Sequence, residues 1–329
     1  MANLKTRLLE WKPVTSVIQR SKTLVLPGFE GTPLYDVIVF FLKEVRDRSL
    51  TDRAQSISFS FLLALPPFLI FLFSLVPFIF LRFPVVSVTS IESTLYDLAR
   101  SVTPDYQSYM IVHDLIYDFL YTQRTGLLSI AFLFGFYTSS NGIMGIMRSF
   151  DKDLPGFKKR KWWQARLTAI KLTSLLVLLL LITLVLIITQ GKLMNFILQF
   201  IGIRDSFTRF LIDAARWLLI VLLFFSMIAM IYRFAPSTTK RWKFVTAGAT
   251  FSTIVMILLT LAFSFFVTNF GRYNQIYGSI GTILVIMIWM YLNSFILLIG
   301  FELNTSIRTI KEIANERKEE KEEKIQGLS

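Results

Sequence analysis

The sequence predicts an all-α membrane protein. It should be a bundle of six transmembrane helices with both termini in the cytoplasm, preceded by an amphipathic interfacial helix and carrying a helical insertion on the outer side. Three observations predict this. Hydrophobic residues make up 54% of the 329-residue chain and charged residues 17%, with 32 Phe, whereas a soluble domain sits nearer half apolar and a quarter charged. Six apolar runs are long enough to cross about 30 Å of hydrocarbon as helix. The bases alternate between loops: 26 of the 35 Lys and Arg fall on one side, 7 on the other, and Lys171 and Arg216 lie within spans. Such an excess marks the cytoplasmic side. Topology therefore accounts for most of the net charge of +13 without a nucleic-acid partner.

The elements follow in order. Residues 1–33 form a basic, polar cytoplasmic segment, and no apolar run there reads as a secretory signal. Thr32-Pro33-Leu34 reads as an N-cap with Pro at the first helical position. Leu34, Val37, Ile38, Phe41, Leu42 and Val45 then mark one face, with Asp36, Lys43, Glu44, Arg46, Asp47 and Arg48 opposite, as in a helix lying on the membrane surface. The membrane domain, 34–308, has spans at about 54–80, 127–148, 167–190, 212–232, 244–268 and 279–303. In the first, Pro66-Pro67 removes two N–H groups, leaving either a simple kink or a half-helix bordering a wet cavity. Residues 82–125 are too polar to span and carry two short amphipathic patterns, so they form the outer helical insertion. The second span gathers Gly135, Gly142 and Gly145 with Ser139, Ser140 and Asn141, which suits tight packing or local unwinding. Residues 309–329 are a charged, solvated cytoplasmic tail.

In the last span Thr282, Trp289, Asn293, Gly300 and Asn304 share a narrow stripe at about 100° per residue. Amides in hydrocarbon need partners, so this stripe packs inside the bundle. The first span offers Arg53, Ser56 and Ser60 on a comparable seam, and the second offers Asn141. These six residues are the candidates for a cavity or substrate surface. Asp213 and Arg216, at i and i+3, either neutralise each other at the rim or form a functional pair. Lys158, Lys159, Arg160 and Lys161, followed by two Trp, suit contact with anionic lipid head groups.

The segment from Tyr-Gly-Ser-Ile-Gly (277–281) through Trp-Met-Tyr-Leu (289–292) to Gly-Phe-Glu-Leu-Asn (300–304) resembles the YihY/BrkB family of bacterial membrane proteins. DRAQSISFS at 52–60 and TSSNGIMGIMRSF at 138–150 extend the resemblance over roughly residues 30–308. That family is also called virulence factor BrkB and once carried the name ribonuclease BN. The resemblance implies a place in the bacterial cytoplasmic membrane and a role in envelope integrity and virulence. It supplies neither a substrate nor catalytic or binding residues.

The ribonuclease name can be weighed against the residues. Phosphodiester hydrolysis needs clustered carboxylates and His for metals, or a His/Lys acid–base pair. The one His, His113, lies in the outer insertion, and no loop on the basic side carries a His/Asp/Glu cluster. There is no Cys, no phosphate loop and no nucleophile or zinc motif. The expectation is a protein with no catalytic residues, metal or cofactor, whose partners are lipids. It either transports or flips an amphiphilic or anionic envelope molecule, or serves as a non-transporting scaffold. A transporter expects a wet cavity lined by the six seam residues; a scaffold expects them dry and mutually bonded.

Overall fold

The computed structural model describes residues 19–25, 28–47, 49–82, 125–154, 156–188, 206–269 and 279–326, with isolated positions between 92 and 117. Most of the outer insertion, the return loop before residue 206 and residues 270–278 lie outside the described residues. Among the described residues seven long helices carry the fold: α1 (Leu34–Asp47), α2 (Leu50–Arg82), α3 (Thr125–Phe150), α4 (Trp162–Ile188), α5 (Ser206–Phe234), α6 (Ala247–Asn269) and α7 (Ser279–Gln326). Within α4 to α7, four segments are long and apolar enough to cross a membrane: Trp162–Ile187, Phe207–Phe234, Ala247–Phe266 and Ile283–Glu316. The helices α2 and α3 are 33 and 26 residues long.

Their side chains face as a lipid environment requires. Leu178, Ile182, Val185, Leu218, Leu222, Leu258 and Leu261 are exposed along α4, α5 and α6. One contiguous core runs through α2, α3, α4, α5, α6 and α7. The densest contact is α2 on α3, and glycines make it possible. A Cβ on Gly135 would lie 2.9 Å from the Pro67 carbonyl, and one on Gly145 would overlap Ser60. The glycines of α3 therefore serve packing within an unbroken helix, and α2 runs through Pro66-Pro67 as one element. The Pro67 carbonyl sits against α3 rather than in lipid.

Several elements depart from the sequence expectation in ways that matter for the site. The Thr32 hydroxyl donates back to the Phe29 carbonyl instead of capping α1. The apolar face of α1 divides: Val37 is fully buried on Ile307, with Leu34 alongside, while Ile38, Val39 and Leu42 are exposed. Helix α7 runs unbroken from the last span through the charged tail to Gln326. Residues 28–32, described residues of the segment 149–161, the 235–246 connection and residues 301–312 of α7 all meet at one end of the bundle. There Lys158 N–H donates to the Ser237 carbonyl at 2.7 Å and Thr239 N–H to the Gly156 carbonyl at 2.9 Å, tying two connections together.

Candidate functional site

At that end four ionisable side chains from four segments converge. Ser49 starts α2, its hydroxyl accepting the Asp52 N–H at 3.2 Å, which sets Arg53 on the first turn. The Arg53 guanidinium donates from Nη1 to Glu302 Oε1 of α7 at 2.6 Å. Its Nε donates to the Ser149 carbonyl at 2.9 Å, and Nη2 reaches the same oxygen. Just past α3, Lys152 Nζ donates to Glu302 Oε2 and, at 2.8 Å, to Glu44 Oε2 of α1. The side chains of Glu302 and Lys152 are fully buried, and those of Glu44 and Arg53 are 12% and 19% exposed. Two cations and two anions balance. Each charge here would cost several kcal/mol without its partners.

A buried aromatic floor lies beneath this quartet. Phe301 stacks on Phe150 at 4.0 Å and on Trp242 at 5.7 Å, meets Phe157 edge-on, and lies 5.7 Å under the Lys152 ammonium. Close crossing of α6 and α7 holds Phe301 in place. A Cβ on Gly248 would overlap the Gly300 carbonyl, so only glycine admits this approach. Tyr232 Oη donates to the Leu297 carbonyl at 2.7 Å and lies 2.6 Å from Ser252 Oγ. Asn304 completes the joint. It accepts the Gly248 N–H at 2.8 Å and donates to Thr246 Oγ1 at 3.0 Å, while Thr246 caps α6 by accepting the Ala249 N–H.

The six seam residues do not share one surface among the described residues. Arg53 belongs to the charge quartet and Asn304 to the α6–α7 joint. Ser56 is exposed, and Ser60 donates to the Ser56 carbonyl at 2.8 Å while packing on Gly145. Asn141 is exposed and accepts Arg166 Nη1 of α4 at 2.8 Å; the guanidinium lies 3.6 Å over the Tyr137 ring. Asn293 donates to the Trp289 carbonyl of its own helix at 2.8 Å. Asp213 and Arg216 pair with each other at 3.3 Å, with Asp213 half exposed. Of the basic cluster, Lys158, Lys159 and Lys161 are exposed, with Trp162 and Trp163 beside them. Arg160 instead donates to the carbonyls of Phe234, Ala235 and Pro236 and so caps α5. Burial, with Arg241 nearby, lowers its pKa from the ordinary value, against the opposing pull of Asp151. In the insertion, His113 Nδ1 lies 3.2 Å from Asp114 and the ring stacks on Tyr96. Among the described residues no three His, Asp or Glu side chains gather as a metal site.

Sequence reasoning overlooked Glu302, Lys152 and Glu44. One signal was present, since Glu302 is the single charge between Ser279 and Leu303. Lys152 and Glu44 gave none, because each stood among other charges in what read as a loop or a wet face.

Long apolar helices around a glycine-lined crossing, with a balanced charge quartet sealed at one end, define a multi-pass helical membrane protein. The family model for virulence factor BrkB matches residues 41–326, and the chain belongs to that family. It is 30% identical over 280 residues to a Bacillus subtilis protein named ribonuclease-like protein YfkH, covering 84% of this chain and 98% of that one. A UPF0761 membrane protein of Tolumonas auensis is 29% identical over 80 residues, and that of Pseudoalteromonas translucida 32% over 78, each match spanning about a quarter of the relative. No solved structure matches.

Proposed function

We propose that this is a six-span protein of the bacterial cytoplasmic membrane, with both termini inside, that moves an anionic or amphiphilic envelope molecule. The quartet around Glu302 is then the closed gate at its cytoplasmic end. The observation behind this reading is the quartet itself. Replacing a buried ion pair with apolar residues often leaves stability unchanged or raises it, so such groups are poor stabilisers, and their best-attested use is to set a register or switch. Ionisable groups within a membrane bundle are functional candidates by default. Here they tie α1, α2, α7 and the segment after α3 into one contact, whose separation would open that end.

A second reading has its own support. Asn141, Ser60, Asn293 and Asn304 each have a partner within the fold, although none bonds another seam side chain as the scaffold expectation had it. A closed transporter satisfies the same groups, whereas a scaffold has no need of buried charge. Exchanging Glu44 and Lys152 together for Leu and Met separates the two. The double variant keeps the Arg53–Glu302 pair and the net charge, so it should fold. With a gate, it should fail to restore envelope resistance to a deletion strain despite normal abundance; full rescue would favour the scaffold.

Catalysis and nucleic-acid binding stay outside the proposal. The chain's one His stands in the outer insertion, so a relative's ribonuclease-like name is not carried over to this chain, and cleavage of RNA by contaminant-free protein would overturn that choice. The exposed Lys158, Lys159 and Lys161 contact anionic head groups, each worth about 1 kcal/mol near the surface. A cysteine at exposed Lys240 should resist an impermeant reagent in intact cells. Ser237 is a poor probe of this, because it is buried and donates to Asp151 at 3.0 Å.

A further inference from the structure

Beside the gate, and independent of it, the turn at residues 28–31 presses an acid into a basic cleft. Glu30 receives Lys311 Nζ at 2.7 Å, with Arg308 Nη1 at 3.7 Å and Lys243 Nζ at 3.8 Å. Three cations from two elements thus surround one carboxylate, and Arg308 is shared with Glu312 at 3.1 Å. The turn is held against its backbone preference. Glu30 has φ 51°, the only positive φ at a non-glycine among the described residues, between Gly28 at 88° and Gly31 at 87°. Such conformations persist where surrounding contacts impose them. Phe29 provides one by burying itself near Ile307 and Ala247. The remaining room beside Glu30, lined in part by Trp242, Thr246 and Asn304, is about 20 Å³. Trp242 is 5% exposed, and its indole Nε1 has no hydrogen-bond partner among the described residues.

We propose that this cleft is a binding site for a phosphate-bearing group and that Glu30 is its resident substitute, which must leave before the group can enter. Lys243, Arg308 and Lys311 still outnumber the two carboxylates they meet, Glu30 and Glu312. A phosphate, with up to two charges and several acceptor oxygens, would engage all three. The cleft has no volume for both occupants, so the N-terminal turn and the ligand compete. Burial pushes the Glu30 carboxyl up, but its contact with Lys311 and the fields of Lys243 and Arg308 bring it below its ordinary value. The substitute is therefore an anion near neutrality. Soluble phosphate and a phospholipid head group share this chemistry.

Native mass spectrometry of the full chain in nanodiscs distinguishes them. In phosphatidylcholine discs, inorganic phosphate should bind Glu30→Gln up to about fivefold more tightly than wild type, the worth of one exposed ion-pair contact. Gly31→Ala offers a second route with Glu30 kept. Its Cβ meets nothing within 4 Å, yet its φ strains the turn, so it should tighten binding in the same direction. Adding Lys311→Ala to either variant should reverse the gain. If the gain is seen only as retained phosphatidylglycerol in mixed discs, the ligand is a lipid head group. Equal retention of both probes by wild type, Glu30→Gln and Gly31→Ala, or a gain indifferent to Lys311→Ala, would overturn the proposal.

Discussion

Along α7, residues 283–289 and residues 296–309 belong to one unbroken helix yet face different solvents. In the first stretch Ile283, Leu284, Met287, Ile288 and Trp289 are exposed. In the second, Leu297, Leu298, Phe301, Glu302, Asn304, Thr305 and Ser306 are buried, and the polar ones lie beside the apolar. Lipid accepts any apolar side chain, so the first stretch places weak demands on residue identity. In the second, glycine, carboxylate and amide each answer to a particular neighbour. Length and hydropathy make α7 a span, but only the second stretch fixes where it docks.

Mutational sensitivity should follow that division. The largest effect is expected from Glu302→Ala, which leaves Arg53 without its carboxylate and Lys152 with Glu44 alone. About 3–5 kcal/mol should be lost in detergent unfolding, whereas Leu284→Ala should cost far less; equal losses would erase the comparison. Gly248→Ala comes next. Its methyl meets a carbonyl that cannot rotate away, so overpacking of about 1–3 kcal/mol should exceed the gain of up to about 1 kcal/mol in helix propensity. An unchanged unfolding midpoint would mean that α6 and α7 do not cross at these glycines. Asn304→Ala should cost about 1 kcal/mol for its two hydrogen bonds, at roughly 0.6 kcal/mol each. Asn293→Ala, losing only a bond to its own helix, should cost measurably less. The smallest effect sharpens the boundary at the aqueous end. The folded pKa of Glu30 lies below the ordinary 4.5, so its contribution is complete above the unfolded value and lost as pH falls through the folded one. Glu30→Gln should therefore be less stable than wild type at pH 7, and the gap should narrow and close as the pH is taken below the ordinary carboxylate range. A gap that widened with acid would reverse the assignment.

Much of the helical architecture was legible because hydropathy is a local property. The apolar runs of α4, α5 and α6 needed no knowledge of neighbours. The aqueous-side helix ends were less legible: α4 begins at Trp162 and α7 runs past Leu303, because charged residues extend a helix as readily as apolar ones once nothing stops it. The site was legible only at Arg53 and Asn304. Their partners lie 249 and 56 residues away in sequence, and no periodicity encodes such pairings. Arg160 shows the converse. Within KKRK it reads like its neighbours, yet it alone lies against the carbonyl end of α5.

The unbroken length of α7 has a mechanical consequence. Its 48 residues make a rod of about 72 Å at 1.5 Å per residue, more than twice the hydrocarbon thickness. The part beyond Glu312 is thus a handle fixed to the segment that carries Phe301 and Glu302. A helix resists bending far more than a loop would, so a load on the handle becomes torque at the quartet instead of dissipating in a linker. Whatever grips the last three turns would have leverage on the most tightly bonded point of the bundle.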